Sequence, residues 1–187
     1  MKYYETAAQY FDLSGLKLSG RVLDIGGGGE GIISRCVGGS VTAIDNRAEE
    51  LAETADIGIK IIMDACDLKF LDGYFDHVTC FFSLMYMGLP QIEKFLGEAF
   101  RVLKKDGELR IWDAVIPPKQ DADVFVAQVA VKTPGREMVK TGYGVSFNRE
   151  QSVERIENLC VAARFIVQKC DKYSESFSLH LRKESLL

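Results

Sequence analysis

The chain alternates short, β-rich apolar runs with stretches of helical periodicity, the pattern of a parallel sheet covered by helices. Arg21–Ile25 is an apolar strand that runs straight into four glycines, Gly26 to Gly29. Ser40–Asp45, Ile59–Met63 and Phe75–Phe82 read as three further strands, and Leu109–Trp112 begins a fifth. Between them lie a short helix over Gly31–Cys36, a second over Arg47–Thr54 and a third over Pro90–Leu103. The third opens on proline and puts Ile92, Phe95, Leu96, Ala99 and Leu103 on one face. Asp106-Gly107 is turn chemistry ahead of the fifth strand.

The second half changes character. Val124–Val131 and Met138–Phe147, joined by Lys132-Thr133-Pro134-Gly135, predict a β-hairpin. Asn148, with Gln151 three residues on, has the form of a capping box. It predicts a helix to about Ala163 with Val153, Ile156, Leu159, Cys160 and Ala163 on its apolar face. Phe165–Lys172 and Ser176–Arg182 close the chain as a strand pair. The expectation is an α/β fold, a doubly wound seven-stranded sheet with the hairpin inserted after the fifth strand.

The junction of first strand and first helix carries the candidate chemistry. Glycines let the backbone turn sharply and approach a ligand, and such turns sit where open α/β sheets bind ligands. Gly26, Gly28 and Gly31 fit G-x-G-x-x-G, and Asp45 lies 19 residues after Gly26, where a dinucleotide fold keeps its ribose-binding acid. An NAD-dependent oxidoreductase is therefore one reading. Asp24 argues the other way: a carboxylate two residues before the first glycine repels a pyrophosphate but suits an ammonium group. Asp64 ends the third strand 19 residues after Asp45. Three successive strand ends thus carry Asp24, Asp45 and Asp64, in register for an amine, a ribose diol and an adenine amino group. Those are the parts of S-adenosylmethionine.

Composition narrows the partners. Of 187 residues 47% are hydrophobic and 27% charged, the balance of an ordinary globular domain. The net charge of −4 lacks the basic surplus of proteins that hold phosphate backbones, which disfavours a nucleic-acid partner. The longest apolar run, Val78 to Leu89, is too short to span a bilayer, and the N-terminus lacks a signal-peptide core, so a cytoplasmic location is expected. Five cysteines without a C-x-x-C pair read as small buried hydrophobes, and no metal site is expected.

The stretches VLDIGGGGEG, VTAID, MDACDLKF, FDHVTCFFSLMYM and AFRVLKKDGELRI resemble the class I S-adenosylmethionine-dependent methyltransferases of the "type 11" group, which includes the ubiquinone- and menaquinone-biosynthesis enzymes. The resemblance spans roughly residues 20 to 116. It implies a strand order of 3-2-1-4-5-7-6 with strand 7 antiparallel, and a single domain over 1–187. Within that domain, 1–19 form an N-terminal helical cap, 20–116 the cofactor-binding core, 117–148 the inserted hairpin and 149–187 the last helix and strand pair. It places Asp24, Gly26, Gly27 and Gly28 at the methionine part of S-adenosylmethionine, Asp45 and Asn46 at the ribose, and Asp64 and Ala65 at the adenine. Phe81 faces the amino-acid portion, and Tyr4 or Tyr10 of the N-terminal helix closes over the cofactor. Glu30 stands where the motif carries its third glycine.

Methyl transfer from a sulfonium needs positioning and water exclusion more than side-chain chemistry. The acceptor is expected near Ser83, Tyr86, Met87, Trp112 and Asp113. Asp113 is the candidate general base and Tyr86 a second candidate catalytic residue, while Tyr86 and Trp112 shape an aromatic pocket. No N/D-P-P-Y/F follows the fourth strand and no Pro-Cys nucleophile is present, which argues against DNA-base chemistry. A small-molecule acceptor is expected, and S-adenosylhomocysteine is the product. The hairpin over 124–147 covers the acceptor site or joins two chains as a homodimer. Its charges, Lys132, Arg136 and Lys140 against Glu137, are too few to argue for RNA. A non-catalytic S-adenosylmethionine-binding protein remains the third reading.

Overall fold

The computed structural model describes residues 1–55, 57–136 and 138–184. Glu137, counted above among the hairpin charges, lies outside the described residues. The N-terminus overturns an expectation. Instead of a helical cap, residues 1–19 contain two strands, β1 (Tyr3–Glu5) and β2 (Gln9–Asp12). Their aromatic, alternating composition suits a half-buried strand: Gln9 and Phe11 are buried while Tyr10 and Asp12 face solvent.

Next come β3 (Val22–Ile25), α1 (Ile32–Val37), β4 (Val41–Asp45), α2 (Ala48–Glu53), β5 (Ile59–Ile62) and β6 (Phe75–Phe81). A 3-10 turn over Leu84–Tyr86 leads to α3 (Leu89–Val102) and β7 (Leu103–Ala114). The hairpin is β8 (Val124–Lys132) and β9 (Met138–Ser146), followed by α4 (Val153–Ala162), β10 (Phe165–Lys172) and β11 (Ser176–Lys183). The fifth strand of the main sheet therefore starts at Leu103, six residues earlier than its apolar core suggested, and passes Asp106 at φ 60°.

Seven strands form the main sheet in the order β10-β11-β7-β6-β3-β4-β5. Numbered within this sheet alone and read from the β5 edge, that is 3-2-1-4-5-7-6. β11 runs antiparallel to both β7 and β10, and the other pairs are parallel. β3 is buried at all four positions, as a central strand covered on both faces must be. One face packs on α3 and α4 through Ile92, Phe95, Leu96, Ala99, Val153, Ile156 and Cys160.

The other face meets a second sheet. β8 pairs antiparallel with β9 on one side, and on the other side with β1 and then β2, both parallel. The hairpin is thus half of a four-stranded sheet completed by the N-terminal strands. Phe125, Ala127, Val129 and Val131 alternate inward along β8 and join Phe11, Val22, Ile33, Val41 and Phe81 in one apolar cluster.

The last helix also starts later than expected. Ser152, not Asn148, is its cap, with Oγ accepting the Arg155 N–H at 3.3 Å. Gln151 is unavailable as a capping partner because its backbone pairs with Ile116 and its amide is buried against Asp113 and the Ala114 carbonyl. No described helix is long and apolar enough to cross a membrane.

Candidate cofactor and acceptor site

β3 ends at Ile25, and the chain turns through Gly26 at φ +66°. A Cβ here would collide with Ser83 Oγ, so glycine is required both for the dihedral and for the close approach. Ser83 Oγ in turn donates to the Ile25 carbonyl at 3.2 Å, tying the glycine turn to the end of β6. A cavity of about 330 Å³ opens above this junction. Asp24, Gly26, Gly27, Gly28, Asp45, Asn46, Asp64, Ala65, Phe81 and Tyr86 all line it, so the structure brings together ten of the residues singled out by sequence.

Asp24 is the unusual member. Only 2% exposed, it accepts from Thr79 Oγ1 at 2.7 Å through Oδ1. Burial, reinforced by the nearby Asp45 carboxylate, pushes its carboxyl up to about 7. Among the described residues no cation pairs with it. A methyl added to Gly27 would sit 2.7 Å from its second oxygen, so that oxygen is reachable only because position 27 is glycine. A buried, uncompensated carboxylate lining a cavity is poised for a ligand's positive charge.

Asp45 Oδ1 accepts the Arg47 N–H at 3.0 Å, and its Oδ2 lies 3.0 Å from where a Cβ on Gly28 would stand. Asp64 Oδ1 likewise accepts the Cys66 N–H at 2.8 Å. Each acid therefore spends one oxygen fixing its own loop and keeps the other for the cavity. On the far wall Phe82 adopts φ +50°, a conformation costly for an aromatic residue and found where a site over-determines the backbone. Tyr86 is half exposed, and partial burial with the Asp113, Glu50 and Glu30 carboxylates pushes its hydroxyl up to about 12. It is a hydrogen-bond donor at neutral pH and not a base.

Four sequence candidates lie elsewhere. Asp113 is fully buried, its carboxylate accepting from Leu84 N, Ala114 N and Gln151 Nε2 at 2.8–2.9 Å. It holds the 3-10 turn and does not face the cavity, which removes it as the base. Burial raises its carboxyl to about 6. Trp112 lies 6.0 Å from the Phe81 ring, does not line the cavity, and lines a separate surface cleft with Phe11 and Tyr173. Tyr4 stacks on Phe125 at 5.8 Å and donates to Glu175 at 3.3 Å, and Tyr10 is exposed on β2. Neither closes over the cavity, because the segment carrying them is paired to β8 as strands.

Sequence reasoning missed Tyr143. Its ring stacks on Phe82 at 5.1 Å, lines the cavity, and its hydroxyl donates to Glu30 Oε2 at 3.4 Å. Thr141, two residues earlier on the same face of β9, donates to Glu30 Oε1. Period-two alternation through Val139, Thr141, Tyr143 and Val145 held the signal.

Residues 23–111 match the family model described as a methyltransferase domain. No curated protein matches the chain in sequence. The fold is similar to that of an S-adenosylmethionine-dependent methyltransferase from Methanosarcina mazei (TM-score 0.60, 19% identity, 87% of this chain and 92% of that one). It is similar to the [4+2]-cyclase SpnF (0.64, 18%, 91% and 76%) and to phosphoethanolamine N-methyltransferase 2 of Haemonchus contortus, solved with S-adenosylmethionine (0.62, 15%, 91% and 50%). The methyltransferase-domain match takes in the glycine turn, and the fold is one shared with S-adenosylmethionine-dependent enzymes.

Proposed function

We propose that the protein transfers the methyl group of S-adenosylmethionine to a small-molecule acceptor. The observation that carries this reading is Asp24, a buried carboxylate raised to about 7 at the lip of the glycine turn. It suits the cofactor's ammonium and would repel the diphosphate of NAD. Asp45 would hold the ribose hydroxyls, and Asp64 with Ala65 the adenine. When bound, the cofactor supplies a methyl already activated by its sulfonium. The chain's own part is to orient and to exclude water. Phe81, Phe82 and Tyr143 wall the side away from solvent, and Tyr86 at the rim offers a hydroxyl to the acceptor.

The [4+2]-cyclase among the similar folds is a reason to keep a non-methylating role as the second reading, since one fold hosts several chemistries. Any homodimer through the hairpin would have to use the outer edge of β9, because β8 is paired on both sides. Thermal unfolding tests the cofactor reading. S-adenosylhomocysteine should raise the melting temperature and NADH should not, because a ligand of the native state alone stabilises it by mass action. No shift at millimolar S-adenosylhomocysteine sinks the proposal. Formation of S-adenosylhomocysteine from S-adenosylmethionine in the presence of acceptor separates turnover from mere binding.

A further inference from the structure

The charge around the cavity is one-sided. Asp24, Asp45, Glu50 and Asp64 line it, and Arg47, the single cationic lining residue among the described residues, is held by Glu50 at 2.8 Å. Arg149 donates to the Met85 carbonyl of the 3-10 turn and is not among the lining residues. A fifth carboxylate, Glu30, stands directly behind the Tyr143 hydroxyl. Tyr143 lines the cavity with Asp24 and Tyr86, its ring on Phe82 and its hydroxyl on Glu30, at the glycine-turn end of the cavity. Phe81, Phe82, Tyr86 and Tyr143 add four aromatic side chains to that end. With Asp24, Asp45 and Asp64 given to the cofactor and Glu50 to Arg47, the ring faces and Glu30 remain for an acceptor, and both favour a positive or basic group; among the described lining residues a carboxylate- or phosphate-bearing acceptor finds no free cation.

We propose that the methyl acceptor is an amine, and that Glu30, acting through Tyr143, receives the proton its nitrogen loses. This rests on the methyl-transfer reading above. The reacting form is the neutral amine. Its lone pair forms the N–C bond as the C–S bond breaks, and the bonding pair stays on sulfur. One N–H proton passes to the Tyr143 hydroxyl oxygen while the tyrosine's own proton moves to Glu30, which later releases it to solvent. Thr141, donating to the other Glu30 oxygen, keeps the carboxylate aimed at the tyrosine.

The test uses the full chain saturated with S-adenosylhomocysteine and matched fragment pairs, benzylamine against benzoate and phenethylamine against phenylpropionate, read by ligand-observed NMR. The amines should bind and the carboxylates should not, and Glu30→Gln should weaken amine binding about fivefold by removing a nearby negative charge. With S-adenosylmethionine and the best-bound amine, Tyr143→Phe should lower kcat roughly 100-fold, the scale of a lost proton-transfer group, with the amine Kd within about threefold. A merely structural tyrosine would move both constants together. Equal binding of the two classes, a preference for carboxylates, or no amine binding at 10 mM on the order of fragment affinities overturns the acceptor class. An unchanged kcat in Tyr143→Phe overturns the proton route. Failure of S-adenosylhomocysteine itself to bind is seen before any fragment is added and strikes the parent reading instead.

Discussion

The two sheets of this molecule are built on different economies of side chain. The main sheet ends three neighbouring strands or their loops in aspartate, and it buries one of those, Asp24, without a cation. The four-stranded sheet does nothing of the kind. Along β8 every inward residue is apolar, and β9 turns Val139, Thr141, Tyr143 and Val145 toward the rest of the fold. One sheet carries groups whose burial costs stability, and the other offsets that cost by covering an apolar face. At the cavity they meet where Thr141 and Tyr143 reach Glu30 in the glycine turn, and away from it where Gln9 of β2 accepts from the Ser176 hydroxyl of β11 at 3.0 Å. The lesson is that the hairpin is not a separable insertion: it roofs both the core and the cavity.

The strongest way to break this comparison is to empty the second sheet's core. Phe125 is fully buried between Tyr4 and Phe147. Phe125→Ala should cost about 3–5 kcal/mol, a large share of the stability of an ordinary domain. Because the cluster includes Val22 and Val41 of the main sheet and Ile33 of α1, urea should still unfold the chain in one transition. Trp112 sits in the same cluster, so its fluorescence and the far-ultraviolet circular dichroism should move together. An early, separate transition would show that the four-stranded sheet melts alone and that the two regions are independent.

Asp113→Asn comes next. Three donors converge on this carboxylate, and an amide turns one acceptor oxygen into a donor facing them. The expected loss is about 2–3 kcal/mol of stability, with S-adenosylhomocysteine affinity within about threefold of wild type. Calorimetry on the folded variant checks it. A large loss of affinity without a loss of stability would return Asp113 to the site.

How much of this was readable from sequence differs between the regions for a physical reason. β3 and β4 are buried, apolar and run into glycine or aspartate, and β6 is a long apolar run, so local pattern suffices. β1 and β2 become strands only because β8 offers an edge about 120 residues away, and a short aromatic segment carries no trace of that partner. The site residues divide in the same way. Asp24, Asp45 and Asp64 follow from strand ends, whereas Tyr143 depends on how a distant hairpin folds over. Asp113 was misjudged although the signal was local. It shares strand parity with Leu109 and Ile111, which face α3 and α4, so period two already pointed it into the core.

Asp45→Ala sharpens the comparison by removing a main-sheet acid that both fixes its loop and faces the cavity. Loss of charge-assisted hydrogen bonds, partly replaced by water, should weaken S-adenosylhomocysteine binding by about 2 kcal/mol, on the order of 30-fold. Stability should fall less than in Phe125→Ala, since among the described residues the Arg47 N–H is what loses its partner. Titration of the folded variant at wild-type affinity would remove the ribose assignment.

The smallest effect is the most diagnostic, because it reads the charge state of Asp24 directly. In the ligand-free protein its carboxyl sits at about 7, so near neutrality about half the molecules hold a proton there. An ammonium ligand needs the carboxylate, and protonated molecules must first lose the proton. Affinity for S-adenosylhomocysteine should therefore be almost full at pH 8 and about tenfold weaker at pH 6, one decade per pH unit below the raised value. Stability of the ligand-free protein runs the opposite way. Between the ordinary carboxyl value of 3.8 and about 7, the folded state keeps a proton that the unfolded chain has released, so Asp24's contribution to stability falls as pH rises through that window. Asp24→Asn should flatten both trends and should hold the ligand weakly at every pH, since its amide cannot pair with an ammonium. Isothermal titration of S-adenosylhomocysteine at pH 6, 7 and 8 on both proteins decides the matter. An affinity independent of pH in the wild type would mean that the buried acid does not meet the ligand's charge, and the main sheet would then bear an unpaired carboxylate with no partner in function.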